Sequence, residues 1–200
     1  MKQAAKAVLR FLGFLCALPW IIYCRVGRAV RVGDLTYAHA IQALAGVPGM
    51  MGNIIRSAFY HALLGSPLDL DIHYGSMITH RETRIGHRVW IGLYCVIGTA
   101  DIGDDVLIAS RVSILSGKNQ HGISDPDLPY SRQPGTFESV TIAEGAWLGE
   151  GVVVMDHVGR RSIIGAGSVV TRAVEDGMIA VGNPARVVRP VIADTTDQVD

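Results

Sequence analysis

The chain divides into three stretches that differ in how apolar and polar residues alternate. Residues 1–33 contain an uncharged apolar run, "FLGFLCALPWIIYC", between basic residues. Residues 34–70 read as two short helices, with Asp34 placed to cap the first, "GVPG" separating them and Gly65 ending the second. Residues 71–190 carry regularly spaced aliphatic residues, and 191–200 form a polar tail. We therefore expect helices first and a long repetitive region after them.

The aliphatic residues of the third stretch recur most often every six positions, commonly with Gly or Ala next. An α-helix predicts a period of 3.6 and a flat strand a period of 2, so neither fits. A period of six suits a β-solenoid, in which each short strand points one aliphatic residue at the axis and three sides make a turn of about 18 residues. The recurring positions are Ile72, Ile78, Ile85, Ile91, Ile97, Ile102, Ile108, Ile114, Ile142, Leu148, Val154, Ile164 and Val170. The pattern predicts a mainly β fold with an N-terminal helical region.

The repeat is interrupted once, by residues 116–139, "SGKNQHGISDPDLPYSRQPGTFES". A loop of this length in a compact domain is usually functional or disordered. His121 lies near its start, and a neutral imidazole is a suitable general base at neutral pH. The alternative is a solvated loop histidine with no role.

Residues from about Ile72 to Pro190 resemble the hexapeptide-repeat acyltransferases. The segments "IGHRVWIGLYCVIG", "IAEGAWLGEGVVV" and "SIIGAGSVVTRAVEDGMIAVGNPARVVR" carry the resemblance, and the last is similar to the terminal coil of the maltose, galactoside and polysaccharide O-acetyltransferase branch. The resemblance implies a left-handed parallel β-helix, a homotrimer with sites between neighbouring solenoids, and acetyl-CoA as the donor.

The resemblance gives His121 the position of the catalytic histidine. The residues near it are candidates on chemical grounds. Two amides could orient the acceptor, with turn residues as the alternative. The second ring nitrogen of His121 needs a partner, either one of two carboxylates or a backbone carbonyl, and one further histidine could reach the acceptor or else lie on an outer face. These acceptor-side candidates are Asn119, Gln120, Asp125, Glu138 and His80.

A second set of residues is expected to bind the donor. In the family the backbone of the coils pairs with the pantetheine arm. Trp147 stands at a matching aromatic position and either packs on this arm or covers the solenoid wall. Arginines of the terminal coil are candidates to pair with the phosphates of coenzyme A by charge-assisted hydrogen bonds, and the alternative is that they are ordinary solvated arginines. The candidates are Trp147, Gly149, Ala166, Thr171, Arg172 and Arg186.

One coil departs from the family pattern. "VMDHVGRRSI" places ten residues where two full repeats need twelve, and Asp156-His157 replaces the common Pro-Gly. We carry over no contacts at that corner. The histidines also invite comparison with the γ-class carbonic anhydrases, but no histidine stands five residues after His121, so we expect no metal.

Charge and cysteine content bound the environment. The formal net charge is zero, which gives no global field for nucleic acid. The three cysteines, Cys16, Cys24 and Cys95, have no metal spacing and suit a reducing cytoplasm.

The apolar leader leaves several interpretations open. Its run of 14 residues is short for a membrane span, which needs roughly 20. A signal peptide has this layout, but no A-x-A cleavage site follows. An interfacial or re-entrant helix over residues 7–31, at the inner face of the membrane, fits best. The remaining alternative is a helix that packs on its own protein.

These observations favour an acetyl-CoA-dependent O-acetyltransferase acting on a sugar or a polysaccharide precursor. Two alternatives remain: an N-acetyltransferase acting on an amino sugar or small acceptor, and a non-catalytic trimeric β-helix scaffold.

Overall fold

Three sheets of very short strands form the sides of a prism. The computed structural model describes residues 2–191, with side chains from residue 7 onward; all of the predicted tail except Val191 lies outside the described residues. We call the sheets A, B and C, in the order in which the chain visits them. The elements are α1 Lys2–Ala29, α2 Gly33–Ala45, α3 Gly49–Leu64, β1 Asp71–Ile72, β2 Met77–Ile78, β3 Arg84–Ile85, β4 Trp90–Ile91, β5 Val96–Ile97, β6 Ala100–Ile102, β7 Leu107–Ile108, β8 Ser113–Ile114, a 3-10 turn Tyr130–Arg132, β9 Val140–Ile142, β10 Trp147–Leu148, β11 Val153–Val154, β12 Ile163–Ile164, β13 Val169–Val170, β14 Met178–Val181 and β15 Arg186–Pro190.

Every strand of one coil pairs with its counterpart in the next. Sheet A runs β1-β4-β7-β10-β12-β14-β15, sheet B runs β13-β11-β8-β5-β2, and sheet C runs β3-β6-β9. All pairs are parallel except the terminal hairpin of β14 and β15. The prediction of a parallel β-solenoid preceded by helices is confirmed. We call the edges of the prism AB, BC and CA, after the sheets that meet there.

The two-residue strands explain the period of six. In most of them the first side chain points outward and the second, an aliphatic one, is fully buried on the axis, as for Ile78, Ile97 and Ile108. Burying each such side chain contributes about 1.5–3 kcal/mol, so the column of aliphatics supplies most of the core.

Sheet C stops early because the last coils are shortened. Only three residues separate Val154 from the next inward position, Val158. Instead of a strand, Val158 forms one parallel bridge to Ile142 and another to Val174. The shortened side predicted between Val154 and Ile164 is therefore the C side, and it repeats one coil later at Val174.

The helices cover the open N-terminal end of the solenoid. Strand β1 is the edge of sheet A, and its Ile72 N–H donates to Asn53 while its carbonyl accepts from the buried guanidinium of Arg56 at 2.9 Å. Strand β2 is the edge of sheet B, and tyrosines bond both backbone groups of Ile78. Side chains of the helices thus take the place of a missing coil at the edges of sheets A and B.

Two details of the helices bear on the sequence predictions. Helix α3 ends at Gly65, whose φ of 73° lies in the left-handed region, as predicted. Asp34 is not the cap of α2, because that helix already begins at Gly33 and Asp34 lies in its first turn, where a carboxylate still favours the helix dipole.

Candidate active site

The loop of residues 116–139 leaves the solenoid at edge BC. It connects β8 of sheet B to β9 of sheet C. The two ends of the loop hydrogen-bond to each other, because Glu138 N–H donates to Ser116 O at 3.0 Å and Thr136 N–H donates to Asn119 O at 2.7 Å. The two arms of the loop are therefore hydrogen-bonded to each other at its base.

Two features inside the loop hold its arms together. Gln133 is buried, and its side-chain amide donates to the carbonyls of Asp125 at 2.7 Å and Leu128 at 2.9 Å. A Cβ at Gly135 would lie 2.0 Å from the carbonyl oxygen of Gln120, so only glycine permits this approach. The backbone at His121 is consequently fixed by the opposite arm.

The ring of His121 is exposed. The side-chain hydrogen bonds found for the described loop residues do not include one to this ring. Of the two carboxylates expected to do so, Asp125 accepts from the backbone N–H of Asp127 at 2.9 Å, and Glu138 lies against Gly117.

The other acceptor-side candidates lie around the same edge. Gln120 donates to Gly117 O at 3.2 Å, which folds its side chain back on the loop, and Asn119 is exposed. His80, at edge BC of the first coil, lies 5.8 Å from the ring of Phe137 in the second arm of the loop. His80 therefore shares the edge with the loop.

The donor-side candidates separate into two groups within one chain. Thr171 and Arg172 follow β13 at edge BC, and the Thr171 carbonyl accepts from Lys118 of the loop at 3.4 Å. Trp147 projects from sheet A with 47% of its surface exposed.

The remaining members of the second group also lie on or beside sheet A. Gly149 and Ala166 lie at edge AB on successive coils, where a Cβ on Gly149 would stand 2.6 Å from the nitrogen of Ala166. Arg186 begins β15 in the terminal hairpin. A single chain does not bring this group to the His121 loop.

An ion pair connects the first arm of the loop to the next coil of the solenoid. The ammonium of Lys118 donates to Asp156 Oδ2 at 2.7 Å. Partial burial pushes the pKa of Asp156 upward, but hydrogen bonds from Lys118 and from His157 N–H, with the charge of Lys118, bring this pKa below its ordinary value. Asp156 therefore remains a carboxylate at neutral pH. Among the described residues, no group of three or more His, Cys, Asp or Glu is placed to hold a metal ion.

Two solved structures share this fold. A maltose O-acetyltransferase from Clostridium difficile superposes with a TM-score of 0.68 at 24% identity, over 78% of this chain and 85% of that one. A hexapeptide-repeat acetyltransferase from Vibrio cholerae O1 biovar eltor, complexed with acetyl coenzyme A, superposes with a TM-score of 0.62 at 21% identity, over 83% of this chain and 92% of that one.

Sequence comparison decides the family. A serine acetyltransferase of Bacillus pumilus (strain SAFR-032) is 30% identical over 160 residues, which cover 76% of this chain and 68% of that protein. The chain belongs to the hexapeptide-repeat acyltransferases. A galactoside O-acetyltransferase of Lactococcus lactis subsp. lactis (strain IL1403) is 37% identical over 92 residues, 45% of this chain and 42% of that protein. The chain spans about half the length of the curated O-acetyltransferases it matches. No protein-family model matches the chain.

Three polar residues of this hexapeptide-repeat chain were missed by sequence reasoning: Lys118, Gln133 and Asp156. Lys118 and Asp156 are far apart in sequence, and the only signal was the Asp156-His157 departure from the family pattern. Gln133 carries no signal, because its role depends on how the loop folds over it.

Proposed function

We propose that this protein is an acetyl-CoA-dependent O-acetyltransferase that acts on a hydroxyl of a sugar or polysaccharide precursor, with His121 as the general base. The observation that carries the proposal is the exposed ring of His121 on a paired loop at edge BC of a parallel β-solenoid. Relatives named as galactoside and maltose O-acetyltransferases, and a structural neighbour complexed with acetyl coenzyme A, support the donor and the acceptor class.

The chemistry needs few groups. Neutral His121 takes the proton of the acceptor hydroxyl while the oxygen attacks the thioester carbonyl, and a backbone N–H stabilises the oxyanion. The C–S bond then breaks, and the imidazolium returns its proton to the departing thiolate of coenzyme A. No covalent acyl-enzyme is required.

A homotrimer would complete the site. The outward residues of sheet A form an apolar ladder that includes Trp90, Leu107 and Trp147. Sheet B carries a second ladder that includes Val96 and Val153 and is apolar except for Ser113 between them. Sheet C instead presents the ion pair of Arg84 with Asp101. A closed ring of three copies needs two different faces that meet, and two apolar ladders provide them.

In such a ring the loop at edge BC of one copy lies beside sheet A of the next. The second donor-side group, around Trp147 and Gly149, would then face the neighbour's His121. We also propose that the solenoid coils in the left-handed sense that is typical of the family.

The trimer has a direct test. Native mass spectrometry is expected to show three times the chain mass. Leu107→Lys, on the sheet A ladder, should give monomers, whereas Thr141→Lys, on the outward face of sheet C, should not. A wild-type monomer at micromolar concentration would refute the assembly.

Membrane attachment through residues 7–31 is also proposed. One helix, Ala7–Ala29, is long and apolar enough by length and composition to cross a membrane, and only 22% of its most apolar window is buried. Its buried seam of small and apolar residues packs on α2 and α3, and the opposite apolar face is uncovered. The exposed apolar residues include Phe11, Leu12, Leu15, Leu18, Ile22, Val26 and Val30.

Basic residues at the end of α1 suit anionic lipid headgroups at the inner face. The acceptor would then be a lipid-linked glycan. In vesicle flotation, wild type should float with anionic vesicles, and Leu15→Gln with Ile22→Gln should abolish flotation without lowering Tm. Point variants are preferred to truncation because α1 packs on the other helices.

The activity is tested with acetyl-CoA and a panel of acceptors: galactosides, maltose, glucosamine and serine. Mass spectrometry should show acetylation of a sugar hydroxyl by wild type and loss of at least about a hundredfold in His121→Ala. The matched control is His87→Ala, which removes an exposed histidine at edge CA. Preference for the amine of glucosamine would establish the N-acetyltransferase alternative, and no transfer with no donor binding would establish the scaffold.

A further inference from the structure

Both ends of the His121 loop rest on one dipeptide of the next coil. The register of β8 and β11 pairs Ile114 with Val154. Asp156 of the next coil therefore lies beside Ser116, where the loop leaves the solenoid. The bridge between Ile142 and Val158 places His157 of the next coil beside Thr141, where the chain returns to the solenoid. The shortened C side makes this possible, because it puts the two positions next to each other in sequence.

The departing end of the loop is held by charge. Lys118 Nζ donates to Asp156 Oδ2 at 2.7 Å and reaches the carbonyl of Thr171, one coil further, at 3.4 Å. The Asp156 side chain is only 17% exposed, against 45% for Lys118, so this pair is less screened than an ordinary surface pair.

The returning end is held by a hydrogen bond from the backbone. Thr141 N–H donates to His157 Nδ1 at 2.9 Å, which requires that nitrogen to be unprotonated. His157 N–H in turn donates to Asp156 Oδ1 at 2.9 Å. The two ends are thereby joined through one continuous set of contacts: Lys118, Asp156, His157 and Thr141.

We propose that Asp156 and His157 are positioning residues that hold both ends of the 116–139 loop and, through it, the ring of His121. The inference rests on the proposed acetyltransferase function for its catalytic consequence, but not for the clamp itself. Displacing a base by about 1 Å costs on the order of a hundredfold in rate. Losing the contacts that hold the two ends of the loop should therefore slow catalysis by shifting His121.

The test combines hydrogen exchange with kinetics. Asp156→Asn keeps an oxygen for His157 N–H and removes the charge, and Lys118→Met removes the partner. Each should make the amides of Thr136 and Glu138 exchange roughly five- to tenfold faster. Each should also lower kcat at least about tenfold with little change in KM for acetyl-CoA, and the double variant should be no worse than either single one.

Two further variants separate positioning from general stability. His157→Asn offers an oxygen to Thr141 N–H and should restore the kcat that His157→Ala loses. The matched control is Arg160→Met, which breaks the 3.0 Å pair with Glu144 between the same two coils at edge CA and should leave loop exchange and kcat unchanged.

The outcomes are distinguishable. Unchanged exchange in both Asp156→Asn and Lys118→Met, or equal losses in Arg160→Met, would overturn the clamp. If wild type transfers acetyl to no acceptor, the proposed function fails, and the exchange data alone decide whether the clamp exists.

Discussion

Removing the hydroxyl group of Tyr60 should destabilise the junction between the helices and the solenoid. Tyr60 is 1% exposed, and its oxygen accepts from the N–H of Ile78, itself fully buried, at 3.0 Å. Ile78 belongs to the edge strand of sheet B, so no further coil can replace this acceptor. Burial also raises the pKa of Tyr60 well above its ordinary value, which keeps the hydroxyl neutral.

Tyr60→Phe preserves the ring and leaves this N–H buried without a partner. Such a group costs about 1–3 kcal/mol. For a chain of this size, each kcal/mol lowers Tm by about 2–4 °C, so we expect a fall of roughly 2–12 °C.

The assay is thermal unfolding followed by circular dichroism at one protein concentration and one scan rate. The matched control is Tyr94→Phe, because Tyr94 is 55% exposed. A Tm for Tyr60→Phe equal to that of Tyr94→Phe would refute the argument that side chains hydrogen-bond the solenoid edge.

Three other perturbations have defined outcomes. Gly149→Ala places a Cβ 2.6 Å from a main-chain nitrogen of the next coil and should cost about 1–3 kcal/mol in urea unfolding, whereas Gly46→Ala, whose nearest atom is 3.5 Å away, should be neutral. Gly13→Ala places a Cβ 2.4 Å from a methyl carbon of α3, so tryptic digestion should release α1 faster than in wild type. The lowered pKa of Asp156 means that its pairing with Lys118 stabilises the fold above its unfolded pKa of about 3.9 and is lost as pH falls through the folded pKa. Below pH 4 the Tm of wild type should therefore approach that of Asp156→Asn.

The solenoid could be predicted because its signal is repeated. Each side of a coil needs one aliphatic side chain that points inward and a tight corner. Residues such as Ile78, Ile97 and Ile114 therefore repeat the same signal from coil to coil. The short C side was only partly predicted: the missing residues were visible, but Val158 as its inward position follows from pairing with Ile142 and Val174 in other coils.

For the candidate site, the sequence supports a prediction only where one residue type at one position carries the proposed chemistry. His121 stands out in an interrupted repeat, whereas the contacts of Lys118 with Asp156 depend on how a 24-residue excursion folds back on the next coil. The start of α2 was predicted wrongly for a similar reason. Asp34 has the chemistry of a cap, yet the turn before α2 lets the helix begin one residue earlier.

The most direct test of the account is binding of acetyl-CoA to the purified protein, by thermal shift, with wild type and His121→Ala compared. A ligand that binds only the folded state should add roughly 2.7 kcal/mol of stability at 100 times its Kd. We expect both proteins to be stabilised equally and only wild type to pass the acetyl group to a sugar. Absence of any shift at millimolar acetyl-CoA, in a folded trimer, would contradict the account.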